Sequence, residues 1–453
     1  MSAITPIETG RLKRGDLGGR FDFLGDGMNN QIQGFAKLRG FDADPGARPR
    51  TTNGAGNHGA GNHGAGNLID NCIGDAEGMT ILLVCEDPRH GWYDSAAPDL
   101  VHRELLARGA TVRRMMVDLP ENRPNEAVQT AMNDVDRVIF FSRLGDQGRF
   151  NWHYTGPPCV MSYALNEGML EGGYGRLDHL SMCRLKAAID EVTLSAANIV
   201  VTCPLGTRFE GSPGATVKAG SDVIIQRFPL GIPQPVLAAG FRGQAVLSGY
   251  LTPTGSRIYD PACLALREPV VAHFEASRIT GFSGAADIVA DVEAHYERVA
   301  GAFGLDGYNI DSWHAGIHPL MAYDMSMAAD PLRWSGTAFQ HPRLLHFHTC
   351  GSGPPGEICW MILDPTIEID GVALWEDGRL HPERFTATAK VLDDDPALAA
   401  AFRAAAGPVG IDDVATAVAD PVDTGSGNAG TFLADPVRTA SAPGSCPNAM
   451  KGV

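Results

Sequence analysis

The order of apolar and amphipathic segments between residues 67 and 195 constrains the fold more than any other feature of this sequence. Strand-like runs alternate there with helix-like stretches, in the order 80–87, 97–109, 111–119, 125–134 and 137–142. Helices that connect successive strands carry the chain back across the sheet, so the strands run parallel. The sequence therefore predicts an α/β N-terminal domain over residues 67–195, built from βαβ units around a parallel sheet.

Beyond residue 195 the pattern changes to strand-like runs separated by glycine and proline. One helix-like stretch interrupts them at 285–304, where apolar residues recur at helical spacing. Strands that outnumber helices and do not alternate with them are typical of α+β domains. We therefore predict a second, α+β and strand-rich domain over residues 196–395.

The two ends of the chain have a different composition. Residues 1–66 contain the repeat NGAGNHGAGNHGAGN, and residues 396–453 pass from an Ala-rich stretch into a segment rich in Gly, Ser and Pro. Such segments bury too little apolar surface to offset the entropy lost on ordering. We interpret 1–66 as a Gly/Asn-rich arm and 396–453 as a C-terminal tail, and we interpret His58 and His63 as linker histidines.

Charge and hydropathy exclude several classes of function. The net charge is −17 with acidic residues spread along the chain, which disfavours a nucleic-acid partner because such binding depends on clustered Lys and Arg. No apolar run is long enough to span a bilayer, and the first residues lack a signal-peptide core, so we predict a cytoplasmic protein without a membrane partner. The nine cysteines form no CxxC pair, and they indicate reduced thiols.

Five histidines between residues 314 and 348 mark the segment in which we expect the chemistry. The run LLHFHTC, the turn-like GSGPPG and the run EICWMIL together predict a β-hairpin over residues 343–363. Because side chains alternate along a strand, His346 and His348 share one face, and Glu357 and Cys359 share a face of the returning strand. A hairpin with this turn brings the two pairs opposite each other.

His314, from the segment WHAGIHP, adds a third imidazole to this set. Imidazole together with carboxylate suits Fe(II), Mn(II) and Zn(II), and two histidines with one carboxylate form the ligand set of non-heme Fe(II) oxygenases. An alternative stays open, in which His346 and His348 are core histidines satisfied by backbone carbonyls. His318 stands beside Pro319, where a hydrogen-bonding or substrate-facing role is the better interpretation.

Several short motifs resemble the aminopeptidase T-like family of metalloenzymes, most closely its 2,5-dihydroxypyridine 5,6-dioxygenase branch. The motifs that carry this resemblance are NLIDNCIGDAEGMTILLVCED, ANIVVTCPLGTRFEGS, WHAGIHP and GEICWMILDPTIEIDG, which together span about residues 67–380. The resemblance implies a metal site in the second domain, a cleft between the two domains and a homo-oligomeric assembly.

The resemblance also separates the family's two chemistries. The peptidases carry a metal-binding glutamate after an FPxG turn, where this sequence has Ile232, so a two-metal site would lack a ligand. Where the peptidases have a further glutamate, the dioxygenase has a histidine, and this sequence has His314. The resemblance thus implies the single-metal branch.

The family's last ligand pair, His-x-Asp, falls on Glu357 and Cys359, which is a departure from the pattern. We therefore expect Glu357 to supply the carboxylate and His348 or His346 to supply the second imidazole beside His314. The implied metal is Fe(II), with Zn or Mn as alternatives. Cys359 remains a competing ligand.

The resemblance, together with this ligand set, implies a mononuclear non-heme Fe(II) dioxygenase that cleaves the ring of a small hydroxylated aromatic or heteroaromatic substrate with O2. His153 and Tyr154, in the loop RFNWHYTGPP after the third strand, and His318 are the candidates for proton transfer, because α/β domains bind ligands at the carboxyl ends of their strands. Two alternatives stay open: a metal-dependent hydrolase of an amide or other C–N bond, and a non-catalytic oligomeric homologue that has lost the site.

Overall fold

The computed structural model of the chain describes residues 63–121, 123–149, 154–214, 223–253, 259–351 and 356–411. The predicted arm lies outside the described residues as far as residue 62, and the predicted tail does so from residue 412 onwards. His58 and His153 fall in the parts that are not described.

The described residues form eleven α-helices and seventeen strands. The helices are α1 Gly64–Leu68, α2 Ala96–Ala107, α3 Glu126–Met132, α4 Leu144–Gln147, α5 Glu167–Glu171, α6 Gly173–Arg176, α7 His179–Leu194, α8 Ala286–Phe303, α9 Pro331–Ala338, α10 Thr386–Asp394 and α11 Pro396–Arg403. The strands are β1 Thr80–Glu86, β2 Thr111–Val117, β3 Arg137–Phe141, β4 Cys159–Ser162, β5 Ile199–Thr202, β6 Arg208–Gly211, β7 Gln226–Phe228, β8 Val236–Leu237, β9 Phe241–Leu251, β10 Leu264–Glu275, β11 Arg278–Ser283, β12 Ile310–Ala315, β13 Leu344–Thr349, β14 Ile358–Leu363, β15 Thr366–Ile369, β16 Val372–Glu376 and β17 Arg379–Leu380. A π-helical turn, Ile69–Ile73, and short 3₁₀ turns at Pro88–His90, Ala238–Gly240, Met327–Ala329 and Pro382–Arg384 complete the set.

The first sheet confirms the predicted α/β domain. Its five strands have the order β2-β1-β3-β4-β7, and every neighbouring pair is parallel. The central strands β1 and β3 are almost entirely buried, as expected where helices cover both faces. The fifth strand, β7, lies beyond the predicted boundary at residue 195, because the chain first forms β5 and β6 in another sheet and then returns.

The second region is strand-rich, as predicted, and contains two antiparallel sheets. One has eight strands in the order β11-β10-β9-β6-β5-β15-β16-β17, and the other has four in the order β14-β13-β12-β8. The four-stranded sheet separates two apolar cores. Trp313, Phe347 and Trp360 pack into the core of the eight-stranded sheet, whereas Cys359 and Met361, on the opposite face, pack into a core shared with the parallel sheet.

The last copy of the glycine repeat is part of the folded core and is not a linker. Gly64 and Ala65 are buried in α1, and the Asn67 side chain donates hydrogen bonds of 2.7 and 2.8 Å to the carbonyls of Gly175 and Leu177. His63, interpreted above as a linker histidine, caps this helix, since its Nδ1 accepts from the Gly66 N–H at 3.1 Å. The small residues of this copy permit close packing, a role that composition does not distinguish from flexibility.

We expect Gly64→Ala to destabilise the protein by about 3 kcal/mol or more, because the added methyl cannot be accommodated. A Cβ at this position would lie 1.7 Å from the Leu170 carbonyl oxygen, which is backbone and cannot move aside. Gly281→Ala is the matched control, because a Cβ there meets nothing within 4 Å. Thermal unfolding of both variants tests the prediction, and an unchanged melting temperature for Gly64→Ala would contradict it.

No helix in the described part of the chain is both long enough and apolar enough to cross a bilayer.

Candidate metal centre

Strand register brings three histidines to one face of the four-stranded sheet. The predicted hairpin is confirmed: β13 pairs with β14 in antiparallel register, and His348 lies opposite Cys359. Strand β12 pairs with the other edge of β13, where His314 lies opposite His346. Because side chains alternate along strands, His314, His346 and His348 all point towards the core shared with the parallel sheet.

The ring nitrogens of these three histidines converge. Nε2 of His314 lies 2.9 Å from Nε2 of His346 and 3.2 Å from Nε2 of His348. The side chains are buried, with exposed fractions of 5 % for His314, 3 % for His346 and 8 % for His348. We call these three residues the histidine triad.

Hydrogen bonds to the other ring nitrogen, Nδ1, set the tautomer of His314 and His348. Nδ1 of His314 lies 2.9 Å from the Pro233 carbonyl oxygen, and Nδ1 of His348 lies 2.7 Å from Oε1 of Glu357. Both partners can only accept when Glu357 is ionised, so both Nδ1 atoms carry the hydrogen. Each Nε2 then directs a lone pair towards the other, an arrangement that a cation between them stabilises. Metal-bound histidines show this same pattern, with the second nitrogen donating to a carboxylate or carbonyl.

The donor set fits a single divalent transition ion. Two nitrogens bonded to one ion at about 2.1 Å lie about 3.0 Å apart at an octahedral angle and about 3.4 Å apart at a tetrahedral angle. The 2.9 Å distance is close to the octahedral value, and the 3.2 Å distance lies midway between the two values. The ring of Phe339 stacks on His346 at 4.3 Å with an interplanar angle of 9°, which holds the third ring in place.

Burial keeps His314 and His346 in the neutral form that a metal requires. Burial lowers the pKa of His314 well below its usual value, and the neighbouring His346 and His348 lower that pKa further. The pKa of His346 is lowered well below its usual value for the same reasons, burial first and His348 second. Neutral imidazoles keep their lone pairs available for a cation near neutral pH.

Glu357, which sequence analysis gave as the carboxylate ligand beside His314, lies against His348. Its Oε1 is 2.7 Å from Nδ1 of that ring, on the side away from the triad, and its role as a metal ligand stays a prediction. His348, Glu357 and Cys359 form a second group whose ligand atoms lie within 4.8 Å of one another. We favour the triad, because the ring nitrogen of His348 that faces the second group is already bonded to Glu357.

Neither of the two described candidates for proton transfer belongs to the triad. The Tyr154 hydroxyl donates to the Pro157 carbonyl at 2.8 Å, near the amino-terminal end of β4, and burial raises its pKa. His318 is fully buried, and its ring lies edge-on to Tyr174 at 4.7 Å. The third candidate, His153, is outside the described residues.

The loop after β3 contributes a residue that sequence analysis did not select. Arg149 forms a buried ion pair with Asp146, and Asp146 also accepts a 2.9 Å hydrogen bond from the Tyr163 hydroxyl. Burial is the main cause of the lowered pKa of His346, and Arg149 adds a smaller lowering effect. Arg149 lies just past the carboxyl end of β3, in the same loop as His153. This position could have marked Arg149 as a candidate site residue in the sequence.

Four buried histidines outside the triad predict how stability depends on pH. Burial lowers the pKa of His318 to about 3 and those of His179, His295 and His341 to about 4. Below pH ~6.5 these histidines therefore bind protons in the unfolded chain but stay unprotonated in the folded chain. We expect full stability above this pH and a loss of about 1.4 kcal/mol per pH unit for each histidine as the pH falls towards 4. Urea unfolding between pH 7.5 and 5 measures the loss, and His295→Gln should reduce its slope; a constant midpoint would contradict the prediction.

Comparisons with known proteins give a distant structural likeness. No protein-family model matches the chain, and no curated protein sequence matches it. Among solved structures the chain is similar to 2,5-dihydroxypyridine dioxygenase from Pseudomonas putida KT2440, with 15 % sequence identity and a TM-score of 0.45, over 72 % of this chain and 98 % of that one. A likeness this distant assigns neither a family nor an activity, so membership of the aminopeptidase T-like family stays a prediction.

Proposed function

We propose that the chain is a mononuclear metalloenzyme in which the histidine triad holds one Fe(II) ion, and that it cleaves the ring of a hydroxylated aromatic or heteroaromatic compound with O2. The observation that carries the proposal is the convergence of three buried Nε2 atoms at 2.9 and 3.2 Å. Two of these rings are held in the metal-binding tautomer by Pro233 and Glu357.

The chain's own residues supply the binding site and its orientation. Glu357 holds the His348 ring, and Phe339 covers one face of His346. The apolar side chains of Met361 and Cys359 stand on the same face of the sheet as the triad and exclude water from it. When bound, Fe(II) supplies the one-electron chemistry by which O2 reacts with a closed-shell ring.

A metal-dependent hydrolase of an amide or other C–N bond is the second candidate. The observation in its favour is that the ligands are three histidines, a set that also holds catalytic Zn²⁺ and lowers the pKa of its bound water. The nitrogen spacing fits six-coordinate Fe(II) or Mn(II) as well as four-coordinate zinc.

Metal analysis of the purified chain, combined with O2 uptake, tests the proposal. The protein is purified anaerobically without a metal-affinity tag, its metals are quantified by mass spectrometry, and O2 consumption is followed with 2,5-dihydroxypyridine and with hydroquinone as probes. We expect about one iron per chain and uptake of one O2 per ring consumed. A purified chain that contains only zinc and consumes no O2 would contradict the proposal and support the hydrolase. A chain that binds no metal even when reconstituted would support the non-catalytic homologue.

A further inference from the structure

We propose that Gln340, His318 and His341 bind a hydroxyl group of the substrate ring beside the metal centre and so select rings that carry this group. The inference rests on the proposed function, since it assigns the residues that recognise the substrate of the same site. It starts from three buried polar atoms without a hydrogen-bond partner among the described residues, which are Nε2 of His318, Oε1 of Gln340 and Nε2 of His341. We call these three residues the polar cluster.

Both histidines of the polar cluster are hydrogen-bond donors. Nδ1 of His318 accepts from the Leu320 N–H at 3.3 Å, and Nδ1 of His341 accepts from the Arg343 N–H at 3.0 Å. A neutral imidazole carries one hydrogen, so in both rings this hydrogen lies on Nε2. The two rings therefore present a hydrogen at the atom where the triad presents a lone pair, which suits them to bind an oxygen and not a metal ion.

Contacts around Gly231 place the members of the polar cluster side by side. The His318 N–H donates to the Gln340 carbonyl at 3.0 Å, and His341 follows directly in the chain. A Cβ added at Gly231 would lie 2.5 Å from Oε1 of Gln340 and 3.0 Å from Cβ of His318. All three side chains are buried, with exposed fractions of 0 % for His318, 4 % for Gln340 and 2 % for His341. The cluster therefore occupies one interior region of the protein.

Two segments of chain join the polar cluster to the triad. Two residues after Gly231, the Pro233 carbonyl oxygen lies 2.9 Å from Nδ1 of His314. On the other side, the glutamine of the cluster directly follows Phe339, whose ring stacks on His346 at 4.3 Å. Because consecutive Cα atoms are only about 3.8 Å apart, the polar cluster and the triad are neighbours in the fold.

The donors and the acceptor of the polar cluster match a hydroxyl group. Buried polar atoms in native proteins bond to protein, water or a ligand, and one left unpaired is destabilising. The cluster offers two N–H donors and one carbonyl acceptor, and a hydroxyl group accepts two hydrogen bonds and donates one. A carboxylate or an ether only accepts, so either would leave Oε1 of Gln340 unpaired. A ring that carries a hydroxyl group should therefore be preferred to the same ring without it.

Calorimetric titration with two probes of nearly the same shape tests the inference. The probes are hydroquinone and 4-fluorophenol, in which fluorine replaces one hydroxyl group, added anaerobically to the full chain loaded with Fe(II). We expect wild type to bind hydroquinone about tenfold or more tighter, because a site built to bond a hydroxyl group discriminates against an analogue that lacks it. Gln340→Met should lose most of this preference while its metal content stays unchanged.

Gln244→Met is the matched control for Gln340→Met. Gln244 lies on β9 in the eight-stranded sheet, where its side chain donates to the Gly206 carbonyl at 3.1 Å. This variant makes the same chemical change outside the polar cluster, so it should keep the full preference for hydroquinone.

The outcomes separate this inference from the function on which it rests. Equal affinity of wild type for the two probes, binding of neither probe, or an unchanged preference in a folded Gln340→Met protein would overturn the inference. The wild-type comparison decides even if Gln340→Met does not fold. A wild-type chain that takes up no metal would instead reject the proposed function, and a preference of that metal-free chain for hydroquinone would still support the polar cluster as a hydroxyl-binding site.

Discussion

Replacing His314 with alanine is expected to abolish metal binding and, with it, catalytic activity. His314 is the member of the triad whose Nε2 lies within hydrogen-bonding distance of both others, so its loss removes the central ligand. We expect metal content to fall from about one ion per chain to below about a tenth, since even the loss of a group that only orients a ligand weakens binding 10- to 100-fold. Metal content by mass spectrometry and O2 uptake are the measurements.

His295→Ala is the matched control for this prediction. His295 is a histidine on α8 with the same exposed fraction as His314, 5 %, and its Nδ1 lies 2.8 Å from the Arg298 guanidinium. Both substitutions leave a cavity of similar size, so both should lower stability by roughly 2 kcal/mol or more. Only His314→Ala should lose the metal. If a folded His314→Ala protein retains the ion, the triad is not the metal-binding site.

Replacing Glu357 with glutamine is expected to weaken metal binding about 10- to 100-fold while the fold persists. Glutamine keeps the side-chain volume and an acceptor for the Nδ1 hydrogen of His348, but it removes the negative charge that makes the imidazole a stronger donor to a cation. The affinity for Fe(II) or Co(II), measured by competition with a chelator, and the thermal unfolding midpoint are the two readouts.

Cys359→Ser distinguishes the triad from the alternative group of His348, Glu357 and Cys359. Cys359 lies opposite His348 in the hairpin, and serine has nearly the same shape. If the triad holds the ion, Cys359→Ser should keep its metal and Glu357→Gln should lose affinity. If Cys359→Ser strips the metal and Glu357→Gln does not, the ion is bound through a thiolate and our assignment of the site is wrong.

The histidine triad could be predicted from the sequence because strand periodicity alone determines which side chains share a face. LLHFHT predicts a strand with His346 and His348 on one side, and a neighbouring strand that ends in His314 completes the set. The role of Glu357 was not predictable in the same way. Periodicity fixes the face of a strand, but it does not say which nitrogen of a histidine ring a carboxylate just outside the strand will reach.

The parts of the fold that sequence analysis missed depend on contacts between distant segments. Strand β7 has three residues and pairs with β4, so that Val160 lies beside Gln226. No local sequence pattern predicts a pairing between strands so far apart in the chain. The same holds for the last glycine repeat, in which Gly64 is required by the nearby carbonyl of Leu170. In the loop after β3, Arg149 pairs with Asp146 of helix α4, a contact that no local sequence pattern predicts.

The four-stranded sheet ties the ligands of the proposed metal to the register of the fold. Along β13, His346 and His348 face the site while Phe347 is part of the opposite core, and the same alternation holds on β12 for Trp313 and His314. Inserting or deleting one residue in either strand would exchange the two sets, placing an aromatic ring at the site and an imidazole in a dry apolar core. Descendants of this chain can therefore change metal preference by substitution at these positions, whereas changes in length are confined to the connecting loops.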